Sequence, residues 1–128
     1  MKKFGLVGFP LSHSFSKKYF SEKFQEMGIA GTHQYDLYEI EDINELKNII
    51  NNTEGLTGLN VTIPHKLNVM PLLDEIDSAA ERIGAVNVIK IADNKKLKGY
   101  NSDYFGFRKS LEEFLGNAKG IKAMVLGN

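Results

Sequence analysis

Residues 58 to 69 read GLNVTIPHKLNV. The run begins like a buried strand, and Pro64 stops it, because proline has no N–H to give to a ladder. Asn60 and Thr62 share one face by the period of two, and Lys66 follows just past the strand. A mostly apolar strand that delivers an asparagine, a threonine and a lysine at its carboxyl end suits an open α/β sheet. In such sheets ligands bind beyond the carboxyl ends of the strands.

The flanking sequence supplies the rest of such a sheet. KKFGLVGF predicts a first strand over 3–8, interrupted by the loop PLSHSFS with Pro10 and three serines. Phe20, Phe24 and Met27 recur at helical spacing, so residues 17–28 are expected to form an amphipathic helix, with Ser16 as its cap and Gly28 and Gly31 ending it. THQYDLYEI reads as a second strand over 32–40, polar enough for a sheet edge. Ile43, Leu46, Ile49 and Ile50 mark the next helix, with Asp42 as N-cap and Glu45 as its capping-box partner. The third strand covers 58–63. HKLNVMPLL and SAAERIG predict two short helical pieces between 65 and 84.

AVNVIKIADNKKLKGYNSD predicts two strands joined by a turn at Asp93 and Asn94. A helix over 104–116 follows, with Phe107, Leu111, Phe114 and Leu115 on its buried side. IKAMVLGN, residues 121–128, reads as a last buried strand running into Gly127. Strands alternating with helices define the fold class: a three-layer α/β sandwich with a mostly parallel sheet containing one antiparallel strand.

Composition narrows the function. Sixteen basic residues balance sixteen acidic ones in 128, and 42% of residues are hydrophobic. That is a globular composition without the charge excess that would favour nucleic acid or an anionic membrane surface, so neither is an expected partner. There are no cysteines, so disulfides, thiolate chemistry and cysteine metal sites are excluded, and a reducing, cytoplasmic setting is expected. No signal peptide and no membrane span is read. His13 and His65 have no carboxylate at ligand spacing, so no metal site is expected. Fourteen lysines against two arginines imply that an anionic substrate meets lysine or neutral donors rather than an arginine fork.

Polar groups gather at the expected strand ends: Ser14 and Ser16 after the first strand, Asn60, Thr62 and Lys66 around the end of the third, Asn87 opening the next, and Asn101 and Asp103 after the following one. Hydroxyls and amides of these kinds suit a small polyhydroxylated acid, and a lysine beside an aspartate suits proton transfer at an alcohol or ketone. Each also has an ordinary reading. Ser16 or Asp103 can simply cap a helix, Ser14 can satisfy a turn, Asn87 can clamp backbone, and Lys66 can be a solvated surface lysine.

Four segments, in order, carry a resemblance: GFPLSHSFS (8–16), GLNVTIPHK (58–66), IGAVNV (83–88) and GYNSDYFG (99–106). Together they resemble the N-terminal, substrate-binding domain of the shikimate dehydrogenase family. The resemblance implies NADP-dependent, reversible reduction of 3-dehydroshikimate to shikimate within aromatic amino-acid biosynthesis. It also implies roles. Ser14 and Ser16 would bind the substrate carboxylate. Asn60, Thr62, Asn87 and Asp103 would hold ring hydroxyls and the reacting oxygen, with Lys66 as the catalytic lysine paired with Asp103. As an ammonium, Lys66 would stabilise and then protonate the ketone oxygen, and Asp103 would orient it.

The chain departs from the family pattern at Lys17, where proline is common, at Ser102, where threonine is frequent, and at His65, often phenylalanine. None of these removes a proposed catalytic group. The resemblance divides the chain into a substrate domain, 1–119, and the first strand and first glycine of an NADP-binding domain, 120–128, with Gly127 opening its glycine-rich turn. The chain is therefore expected to be a fragment that does not transfer hydride by itself. A relative with a quinate-type substrate, a stand-alone binding module without catalysis, and a homodimer stay open as alternatives.

Overall fold

The computed structural model describes residues 1–126. Six strands form one sheet in the order β2-β1-β3-β5-β6-β4. They are β1 (Lys2–Gly8), β2 (His33–Glu39), β3 (Leu56–Val61), β4 (Glu75–Ile76), β5 (Val88–Ile91) and β6 (Leu97–Tyr100). β1 pairs in parallel with both β2 and β3, and β4 with β6, whereas β5 runs antiparallel to its neighbours β3 and β6. Five strands thus point one way and β5 the other, as expected. β2 is an edge strand, also as expected, whereas the two-residue β4 was not foreseen.

Alternation along the strands builds two cores. Val7, Leu59, Val61, Ile89, Ile91 and Leu97 point to one face and pack with helix α2 (Leu46–Asn52) and with Ala80 of helix α3 (Ser78–Ile83). Val7, Leu46, Val69, Ala80, Val86 and Ile89 are completely covered. On the other face Phe4, Leu6, Tyr35 and Leu37 meet Phe20 and Phe24 of helix α1 (Ser16–Glu26). Helices on both faces of one sheet make the sandwich.

Several local expectations are corrected. Residues 66–69 form turns, and only Met70–Leu72 makes a short 3-10 helix. The Lys66 carbonyl, which an α-helix would offer to Met70, accepts instead from Val86 N at 2.9 Å, while Met70 N turns to Leu67 O. Pro71 lacks the N–H a longer helix would need. Ser16 does not cap α1. Phe15 occupies that position without a side-chain bond, and Ser14 Oγ accepts from Ser16 N at 3.3 Å. Asp42 does cap, accepting from Asn44 N at 2.9 Å, but it caps a 3-10 turn (Ile43–Glu45) that leads into α2.

The last helix, α4 (Ser102–Leu115), has no buried residue, and Phe107, Leu111 and Phe114 are exposed. Its apolar side is real in sequence but meets no sheet face within the described residues. Residues 121–126 form no strand and are exposed, because no described strand pairs with them. Gly127 lies outside the described residues. No described helix is long and apolar enough to cross a membrane.

Candidate functional site

The carboxyl ends of β1, β3 and β6 lie along one edge of the sheet. β5 runs the other way, so its beginning, not its end, reaches the same edge. Asn60 therefore sits opposite Val88, and Val88 opposite Tyr100. This places Asn60, Asn87 and Asn101 on three adjacent strands or strand ends.

Thr62 extends the β1–β3 ladder by one residue, donating its N–H to Val7 O at 2.9 Å. Its methyl lies where a Cβ on Gly8 would stand, so glycine at the end of β1 lets the two chains close. The next turn is fastened at two points. His65 is 1% exposed, and its Nε2 meets Ile40 O at 2.6 Å, fixing this ring nitrogen as the donor. The neighbouring Lys66 carbonyl takes the Val86 N–H. The loop is thus tied to β2's end on one side and to the approach to β5 on the other, and the Lys66 side chain projects from it.

Lys66 Nζ reaches Asp103 Oδ2 at 2.8 Å, across 37 residues of sequence. Asp103 is not the cap of α4. Asn101 is, accepting from Tyr104 N at 2.9 Å while its own amide donates to Ala85 O at 3.1 Å. That leaves the Asp103 carboxylate free in the first turn, where the helix dipole favours a negative charge. The two side chains are 34% and 60% exposed, so their attraction contributes only about 0–1 kcal/mol of stability. The pair sets geometry rather than holding the fold.

Asn87 is buried and uses both ends of its amide on one residue: Nδ2 donates to Ser102 Oγ at 2.9 Å, and Oδ1 accepts from Ser102 N at 2.8 Å. Asn60 Oδ1 accepts from the Tyr35 hydroxyl at 2.9 Å. The serine loop is held from below, where Leu11 N donates to Glu39 Oε2 at 2.8 Å. The hydrogen bonds thus join the expected residues in separate groups along one edge: Lys66 with Asp103, Asn87 with Ser102, Asn60 with Tyr35, and Ser14 with Ser16. No three His, Asp or Glu side chains gather as metal ligands among the described residues.

Sequence reading missed Tyr35, Glu39 and the capping role of Asn101. Asn101 carried a signal, since an asparagine immediately before a helix is a preferred cap, accepting from the second or third helical N–H. Tyr35 carried a weaker one, a hydroxyl on the apolar face it shares with Leu37.

Two measurements check this geometry. Asn101→Ala removes the cap and a buried amide bond together. A loss of about 1–2 kcal/mol in urea unfolding is expected, and unchanged stability would contradict the capping assignment. Burial pushes the Tyr35 phenol up to about 12, with the adjacent Ser16 hydroxyl acting in the opposite direction. The folded state therefore holds this proton more tightly than the unfolded chain. Its contribution is complete below the ordinary value near 10 and is lost as pH rises toward 12. Tm is expected to fall over that interval, and Tyr35→Phe to flatten the fall. Some slope should persist, because burial and the Asp36 charge also raise Tyr38.

The fold and this edge define an α/β domain that presents a lysine–carboxylate pair at its strand ends. Residues 6–89 match the family model described as the shikimate dehydrogenase substrate binding domain, and the chain belongs to that family. It is 40% identical over 128 residues to a shikimate dehydrogenase (NADP(+)) of Methanococcus aeolicus, covering 98% of this chain and 45% of that protein. The chain therefore spans less than half the length of such curated relatives. Among solved structures, a shikimate dehydrogenase in complex with NADP+ superposes with a TM-score of 0.78 at 43% identity, covering 93% of this chain and 41% of that one. A quinate dehydrogenase from Corynebacterium glutamicum in complex with NAD gives 0.77 at 31% identity, covering 92% and 43%.

Proposed function

We propose that this chain is the substrate half, residues 1–119, of a two-domain enzyme that reversibly reduces 3-dehydroshikimate to shikimate with NADPH, and that residues 120–128 open its NADP-binding domain. The observation that carries the reading is the Lys66–Asp103 contact at 2.8 Å, set at the strand-end edge within the family's motifs. The described residues 116–126 form no strand, glycine turn and helix to cradle a diphosphate. NADP is therefore assigned to the whole protein and to no group described here, and its part is to exchange the hydride.

The chain's own residues bind and handle the proton. Ser14, on the loop after β1, and Ser16, the first residue of α1, donate to the substrate carboxylate. Asn60, Thr62 and Asn87 hold ring hydroxyls, and Asp103 accepts from one beside the reacting carbon. Lys66 as an ammonium donates to the ketone oxygen, stabilises the charge that builds there during reduction, and gives it a proton. In the oxidative direction the neutral amine takes the proton back. Asp103 holds Nζ in place throughout.

The test is NADPH consumption with 3-dehydroshikimate in a complete two-domain protein bearing this domain. Turnover is expected, and its absence in a folded protein would overturn the reading. The structural likeness to a quinate dehydrogenase supports a second reading, distinguished by faster oxidation of quinate with NAD than of shikimate with NADP.

A further inference from the structure

Behind Asn60 stands a phenol that the reaction described above does not use. Tyr35 lies on β2 but is only 3% exposed, because its ring turns inward beneath α1. It stacks on Phe20 with centroids 4.7 Å apart and planes 18° from parallel. Its hydroxyl reaches over β1, the strand between, to Asn60 on β3. A phenylalanine would fill the ring's place in this apolar cluster equally well. The hydroxyl adds one thing, its bond to Asn60 Oδ1 at 2.9 Å.

That bond has a chemical consequence. A free asparagine amide can offer either its oxygen or its NH2 to a ligand. With Oδ1 held by the phenol, Nδ2 is left without a hydrogen-bond partner among the described residues, and it is not buried. We propose that Tyr35 is a positioning residue that fixes Asn60 as a hydrogen-bond donor, so that this part of the site selects an acceptor oxygen on the bound cyclic hydroxy acid. The inference rests on the substrate class proposed above. Burial keeps the phenol neutral through the physiological range, so it stays a donor.

The experiment is a shikimate titration, followed by NMR, of a complete two-domain protein bearing this domain and of its Tyr35→Phe, Asn60→Ala and doubly substituted forms. Tyr35→Phe keeps the ring and its stack. It is expected to weaken binding about 3- to 10-fold, the worth of one neutral hydrogen bond. In the Asn60→Ala background it is expected to add nothing. A merely structural role would weaken binding equally in both backgrounds and would overturn the proposal, as would an unchanged Kd for Tyr35→Phe. The Asn60 side-chain amide resonances give a readout without ligand. They are expected to shift in Tyr35→Phe, and an unshifted pair would show that no such bond exists. If the unaltered two-domain protein fails to bind shikimate at all, the substrate assignment fails and takes this inference with it. That outcome is recognisable because it is seen in the unaltered protein.

Discussion

Lys66→Ala, in a complete two-domain protein bearing this domain, is expected to lower kcat for 3-dehydroshikimate reduction by about 10²–10⁴-fold, the usual worth of a positioned acid–base group. KM should change far less, because the serines and asparagines that would bind the ring and carboxylate remain. Stability should hardly move, since the Lys66–Asp103 pair is partly open to solvent. Asp103→Asn should fall between Lys66→Ala and the unaltered enzyme, keeping a hydrogen-bond partner for Nζ but losing the charge that orients it. Steady-state kinetics with a thermal melt on each variant separate these effects. A Lys66→Ala enzyme within a few-fold of the unaltered rate would remove Lys66 from the chemistry.

Ile89→Ala is expected to have the largest effect on the fold. Ile89 is completely covered at the middle of β5, flanked by Leu59 of β3 and Gly99 of β6. Gly99 cannot move in to fill the gap: it has no side chain, and its Cα side is already crowded by Leu73 and Val86. Truncation should cost about 2–5 kcal/mol, a fall in Tm of roughly 10 °C or more. Because Asn87 immediately precedes β5, loosening that strand should also disturb the Asn87–Ser102 pair. Phe107→Ala is the contrasting case. It removes a larger side chain, but one 69% exposed on α4, and should stay within about 0.5 kcal/mol. Chemical unfolding of the two variants side by side checks both the core and the corrected place of α4.

The contrast between Ile89 and Phe107 shows what was legible in the sequence. Strands and helices whose apolar period is matched by a partner within the chain were readable. Leu59 and Val61 alternate against Asn60, and the sheet honours that alternation. The antiparallel strand was readable because Asp93 and Asn94 announce a tight turn. α4 and residues 121–126 carry equally strong apolar patterns, yet these stay exposed. Periodicity says which side wants burial, not whether anything is there to bury it.

The stretch after Pro64 was misread for a different reason. Its helical spacing is real, but Lys66 O bonds to Val86, twenty residues on in sequence, and no local pattern reports that. Residue types around the strand ends singled out Asn60, Asn87, Lys66 and Asp103 as candidates, and the fold brings them to one edge of the sheet. What the sequence hid was how each amide is turned. Tyr35 sets the orientation of Asn60, and Ser102 that of Asn87, through contacts that only the folded chain creates.

A crystal structure of this chain grown with shikimate tests the central claim most directly. The ring is expected at the edge formed by the ends of β1, β3 and β6, with its carboxylate on the Ser14 and Ser16 hydroxyls and a ring oxygen within hydrogen-bonding distance of both Lys66 Nζ and Asp103. Shikimate bound elsewhere, for instance in the apolar groove of about 550 Å³ between α1 and the sheet, or bound at the edge without touching Lys66, would contradict the account.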